Sequence, residues 1–223
     1  MCVLSTRALL RNAIAQQDSS QATFVSMDGT FNLLANGWPT LAFGTVDWNH
    51  HFRTIGVSFT SHEDGDAFES SLKSLDEGIQ LISPERKLKA DFTMQDGARG
   101  IFNAAENQLQ PKQIGSCWFH VKQAVFKKKH LFVDKNKYRL FCNDLDTLHA
   151  SQSPDEYHHG ASLFIEKWKR KEEKVCAWFD AEYFGWLQTF FASRTPAGLP
   201  ATNDPHENFN KLLKFKEDGS ARE

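Results

Sequence analysis

Two spacings of apolar residues divide the first half of the chain. TFVSM (23–27), PTLAFGTVD (39–47), RTIGVSFT (53–60) and KADFTM (89–94) are short apolar runs rich in β-branched and aromatic residues, and predict four strands. WNHH joins the second to the third and reads as a hairpin connection. Ahead of them, Leu9, Leu10, Ala13 and Ile14 fall on one face of a helix. Between the third and fourth strands, DAFESSLKSLDEGI repeats Phe68, Leu72 and Leu75 at helical spacing, with Gly78 as a stop. GARGIFNAAENQL puts Ile101, Ala104, Ala105 and Leu109 on one helical face, and IGSCWF (114–119) predicts a fifth, buried strand. The order β-β-β-α-β-α-β implies an α/β layer architecture, a mixed five-stranded sheet flanked by helices.

From residue 120 to about 194 the apolar positions lose their alternation and recur at helical intervals. Trp168, Trp178, Phe179, Tyr183, Phe184, Trp186 and Phe190 are the aromatic density of this stretch. A helical core accounts for them; stacking on an extruded nucleobase is the other reading. RTPAGLPATNDP is then a connection, after which Asn203 or Asp204 caps a last helix with Pro205 at its start. That helix carries Glu207, Phe209, Leu212 and Leu213.

Composition narrows the class. At 223 residues with 40% apolar content the chain can bury a substantial core, and no run approaches the about 20 apolar residues of a membrane helix. Cys2, Cys117, Cys142 and Cys176 are scattered, so reduced thiols are expected and disulfides are not. The first 17 residues hold two Arg and no acid, a slight likeness to a transit peptide, but the apolar face favours an ordinary helix. A net charge of −2 does not advertise a nucleic-acid binder. One segment departs from it: Lys122, Lys127, Lys128, Lys129, Lys135, Lys137 and Arg139 are interrupted by the single acid Asp134. These residues are a phosphate-binding face or a solvated one, and the same pair of readings applies to the Lys-rich stretch at 167–174.

Asp28 and Asp96 each end an apolar run and precede a glycine. Both fit Asp-Gly turns. If the two strands are parallel neighbours, however, both carboxylates reach one crevice at the carboxyl ends of the sheet. Oxygen donors of this kind suit Mg²⁺ or Mn²⁺. Glu207, on a helix facing that edge, would complete a site for two ions about 3.5–4 Å apart, as in phosphodiester transfer. Its other reading is an acid stabilised by the helix dipole.

The DGT after the first strand, SHED and its helix after the hairpin, DGA after the fourth strand, the C-x-x-H of Cys117 and His120, and the late TN and EN-x-N around Glu207 occur in a definite order. Together they resemble the catalytic domain of Mutator-like element (MULE) transposases over roughly residues 20–215. The resemblance implies an RNase H-like fold with a helical insertion at about 121–195; outside it, the apolar spacing makes residues 1–19 an N-terminal helix and the composition makes 216–223 a polar tail. The resemblance also implies a DDE triad of Asp28, Asp96 and Glu207 holding two divalent ions. The activity implied is DNA strand cleavage and joining of a 3′-hydroxyl to target DNA. Full-length relatives carry end-recognition domains, so a truncated copy is one expectation. A domesticated or inactive transposase-derived protein that binds DNA or protein is the alternative. DNA is the expected partner, with a homo-oligomer and a nuclear location as further expectations.

For Cys117 and His120, three roles stay open: a core thiol beside a histidine that orders the site, zinc binding completed by Cys142 or His149, and a nucleophilic pair. The first is preferred, and zinc is not expected.

Overall fold

The computed structural model describes the chain apart from residues 20, 21, 32, 35, 186–189, 193, 194, 197, 201, 203 and 218–223. Trp186 and Asn203 therefore lie outside the described residues, as does the side chain of Leu213.

Most of the apolar runs form strands that are buried almost throughout, with side chains of the same strand entering separate cores on the two faces of the sheet. In chain order the elements are β1 (Cys2–Leu4), α1 (Arg7–Ser19), β2 (Phe24–Thr30), β3 (Thr40–Val46), β4 (Phe52–Phe59), α2 (Gly65–Ile82), β5 (Phe92–Gln95), α3 (Arg99–Leu109) and β6 (Gln113–Ser116). α4 (Trp118–Lys127), α5 (Lys137–His149), α6 (Pro154–Lys171), α7 (Glu173–Phe179) and α8 (Asp204–Glu217) follow. The strands make one mixed sheet in the order β1-β4-β3-β2-β5-β6. It has six strands rather than the expected five. β1, three residues too short to show alternation, pairs antiparallel with β4 through Val3 and Ser58.

β2, β3 and β4 are antiparallel hairpin partners, whereas β5 and β6 add on in parallel beyond β2, each reached through a helix. Leu10 and Ala13 of α1, Phe68, Leu72, Leu75 and Ile79 of α2, and Ile101, Ala104 and Ala105 of α3 cover one face of the sheet in a continuous apolar core. α2 does not stop at Gly78. It runs on to Ile82 and is closed by the Ser83 N–H bonding to the Ile79 carbonyl. Gly78 is instead a place of close approach, since a Cβ there would lie 3.1 Å from Leu10 Cδ1. The predicted strand 114–119 is also shorter than its sequence reads. It ends at Ser116, and Cys117 becomes the first cap of α4.

The helical stretch builds a second core of its own. Phe141, Phe164, Trp168 and Phe179 meet edge to face or tilted at ring separations of 4.9–6.3 Å, the geometry that ring quadrupoles favour. This bears out the core reading of Trp168 and Phe179, which Phe141 and Phe164 join. Between α6 and α7, Glu172 is buried, and its carboxylate accepts the backbone N–H groups of Val133 (2.8 Å) and Asp134 (3.1 Å) and faces Lys137 Nζ at 3.2 Å. Burial alone would raise its pKa, but those two N–H donors and the ammonium outweigh it and hold the carboxyl below its usual range.

Glu172→Gln removes the charge for which these donors are arranged and should destabilise the fold by about 2–3 kcal/mol. Because the folded-state pKa is depressed, that stabilisation is present at neutral pH and lost as pH falls through the carboxylate range. The gap between wild-type and variant melting temperatures should therefore be widest near pH 7 and close below about pH 4.

Candidate active site

The site begins with a register. β2 and β5 are parallel, with Ser26 opposite Met94, so Asp28 and Asp96 lie two residues further along adjacent strands. β6 continues the row. Gln95 pairs with Ser116, which puts Cys117 beside Asp96 at the same carboxyl edge.

The two Asp-Gly pairs turn out to differ. At Asp96 there is a turn: its Oδ1 accepts the Ala98 N–H at 2.9 Å, and Gly97 takes a φ of 95°, a region that disfavours a side chain. At Asp28 there is none, because β2 runs on to Thr30. Gly29 leaves room there for a neighbour, as a Cβ on it would lie 1.7 Å from Glu63 Oε1 and displace that carboxylate. Glu63 thus rests over bare backbone next to Asp28. It is brought there by the packing of Gly65 at the start of α2 against Gly100 in α3, where a Cβ on Gly65 would approach the Gly100 Cα to 2.9 Å.

α8 is docked on β2 by two hydrogen bonds. Ser26 Oγ and His206 Nδ1 lie 2.7 Å apart, and Asn210 Nδ2 donates to Asp28 Oδ2 at 3.1 Å. Residues four apart on a helix advance about 6 Å, and residues two apart on a strand about 6.6 Å, so the two pairs match along nearly parallel axes. Phe52 completes the mount, its ring 4.3 Å from that of His206 and 4.9 Å from that of Phe209. Burial pushes the His206 imidazole down to about 3, so it sits in this contact as a neutral ring. Glu207, one residue along, is thereby turned toward β6, where its Oε1 lies 3.9 Å from Cys117 Sγ.

The acids act on one another. Burial, followed by the negative charges of Asp96, Glu207 and Glu63, pushes Asp28 up to about 8, against a hydrogen bond from the Gly29 N–H. Glu63 is likewise raised, by burial and then by Asp96. Asp28, Glu63 and Asp96 line a cavity of about 330 Å³ with His120 and Lys127 of α4. Its far wall is a π-helical turn, Asp180–Phe184, which continues α7 and supplies Glu182 and Tyr183. Burial holds the Tyr183 hydroxyl well above the usual tyrosine range, so it stays protonated.

Of the residues expected from sequence, Asp28, Asp96 and Glu207 come to the same edge, and the Asp28 carboxyl feels both of the others. Cys117 and His120 join them. Zinc binding through Cys142 or His149 does not fit: His149 stacks on Trp118 at 4.2 Å and bonds to the Phe190 carbonyl, and Cys142 lies beside Tyr138. The basic segment is divided. Lys122 pairs with Asp146 at 3.0 Å and Lys137 with Glu172, Lys128 and Lys129 sit over the rings of Trp178 and Tyr138, and Lys135 and Arg139 are exposed. In the later stretch, Lys167 pairs with Asp144 and Arg170 with Glu166.

Sequence reading missed three participants: Glu63, His206 and Asn210. Glu63 lies within SHED, and the other two flank Glu207, four residues apart from each other and so on one face of the helix. No family model matches this chain, and no curated protein matches it.

An oxygen-rich group of mutually repelling carboxylates fits a hard divalent cation. Asn210 agrees with this, since its buried Oδ1 has no partner among the described residues while its amide N–H₂ holds Asp28.

Without added metal, Asp28→Asn should stabilise the protein by about 2 kcal/mol at pH 7. The unfolded chain releases the Asp28 proton near pH 3.8, whereas the folded form keeps it to about pH 8. Wild-type stability should fall across that window, and the variant's should be flatter. Thermal melts in chelator at stepped pH check this; parallel wild-type and variant curves would count against it.

Proposed function

We propose that the chain is a transposase-like catalytic domain of the Mutator-like element type, cutting DNA strands and transferring a 3′-hydroxyl with Mg²⁺ or Mn²⁺. The observation that carries this reading is the convergence of Asp28, Asp96 and Glu207, far apart in sequence, closely enough for the latter two to raise the Asp28 pKa. An RNase H-like arrangement is supported by three antiparallel strands followed by two parallel ones, with the helical segment interposed before the helix that carries the last acid. β1 is then an addition at the outer edge.

Asp28, Asp96 and Glu207 are the residues that would hold the ions; Glu63 lines the same cavity as the two aspartates, and Glu207, outside that lining, acts on Asp28 from α8. Paired divalent ions at such a site supply activation of the attacking oxygen and charge stabilisation of the leaving one. The chain's own part is to hold the carboxylates on rigid strand ends and to close one side of the cavity with α4 and the π-helical turn. Lys127, on the cavity wall, is placed to meet a phosphate, and exposed Lys135 and Arg139 extend the positive surface. DNA as the partner, with a nuclear location following from it, belongs to this same reading.

The alternative, a transposase-derived protein that binds DNA without cutting it, is favoured by one feature: the Glu207 carboxylate lies against the Cys117 thiol. Nicking of supercoiled DNA decides between them. The wild type should nick with Mn²⁺ or Mg²⁺, and Asp28→Asn, Asp96→Asn and Glu207→Gln should each lower the rate at least about 100-fold, the loss expected on removing a group that stabilises transition-state charge. A wild type that binds DNA with no metal-dependent nicking, or variants that cut like it, would overturn the enzymatic reading.

A further inference from the structure

Cys117, His120 and Glu207 are the one set of three metal-ligating side chains, among the described residues, whose donor atoms all lie within 4.8 Å of one another. The set is a thiol, an imidazole and a carboxylate, a donor mixture unlike the all-oxygen group beside it. We propose that these three residues bind a borderline-soft divalent cation of the zinc class.

Three observations support this. The first is distance. Bonds of about 2.3 Å to sulfur and 2.1 Å to oxygen at a tetrahedral angle separate the two donors by about 3.6 Å. Cys117 Sγ and Glu207 Oε1 are 3.9 Å apart, so closing on an ion needs a shift of a few tenths of an ångström. The second is the imidazole. His120 Nδ1 is a buried atom with no hydrogen-bond partner among the described residues, although the ring borders a polar cavity. The third is the setting of the thiol. Cys117, buried among Phe24, Val46, Phe92 and Met94, is the N-cap residue of the ten-residue helix α4, which carries His120 one turn on. Three protein ligands are the number that an open zinc site uses.

The sequence showed a pair, Cys117 and His120, at i and i+3. The third ligand comes from α8, 87 residues beyond His120, and was already assigned to the acid triad. Glu207 therefore stands between two sites. Occupation of the thiol site would draw its carboxylate away from Asp28 and Asp96, so zinc should weaken Mn²⁺ binding by the acids. On binding, the Cys117 thiol gives up its proton to solvent and no electron is transferred.

Cobalt(II) titration of the reduced, metal-free protein tests the proposal. The wild type should show a thiolate-to-cobalt charge-transfer band that saturates at one equivalent and is displaced by zinc. Cys117→Ser should abolish the band, and His120→Ala should weaken cobalt binding at least about 10-fold. Cys142→Ser, a thiol outside the set, should leave the band intact. Melts in chelator confirm that each variant is folded; if Cys117→Ser does not fold, His120→Ala carries the test alone. Absence of the band from wild-type protein, or its persistence at full strength in a folded Cys117→Ser or His120→Ala variant, overturns the proposal. This result is independent of the DNA-cleavage reading: a Cys117-dependent band without any nicking overturns that reading and leaves the zinc-class site standing.

Discussion

The arrangement at the sheet edge depends on how the last helix is fastened to the first long strand. Two side chains of α8, His206 and Asn210, meet two side chains of β2, Ser26 and Asp28, in hydrogen bonds of 2.7 and 3.1 Å. The fit works because one turn of helix and two residues of strand advance by nearly the same length. Phe52 packs on both His206 and Phe209, and the imidazole, buried in this contact, stays neutral. Everything that Glu207 does follows from this mount, since the residue between two anchored turns has little choice of direction.

The same mount creates electrostatic tension. Asp28 is asked both to accept a hydrogen bond from α8 and to sit in a buried crowd of carboxylates. The outcome is a carboxyl that holds its proton to about 8. Such a group is poorly satisfied by protein alone, and this is the usual condition of a residue whose proper partner is a cation. Glu63 adds to the crowd because Gly29, Gly65 and Gly100 let backbone and carboxylate approach where any side chain would intervene.

The helical segment between β6 and α8 carries its own aromatic core and meets the sheet edge at two places, α4 and the π-helical turn after α7. Its contribution to the site is therefore a wall: His120 and Lys127 on one side, Glu182 and Tyr183 on the other. Much of the positive charge that the sequence shows there is neutralised locally, by Asp146, Glu172, Asp144 and Glu166. A run of lysines is thus a weaker guide to a phosphate surface than the few that remain unpaired by acids and face the cavity or solvent.

The elements built on long patterns were legible in the chain itself: α1, α2 and α3, the β3–β4 hairpin, and the strands that carry Asp28 and lead into Asp96, because helical spacing and short apolar runs bounded by turn residues are local properties. β1 was too short to carry a period, and the end of α2 was misread because Gly78 answers to packing against Leu10 rather than to a helix cap. Which acids share a mouth could be guessed at Asp28 and Asp96, where parallel neighbouring strands bring matched ends together. That Glu63 joins them, that His206 and Asn210 hold the last helix, and that Glu207 faces Cys117 and His120 as well as the acids was decided by tertiary structure alone. These contacts join segments up to 182 residues apart, and no local pattern encodes the direction in which a side chain points once two elements dock.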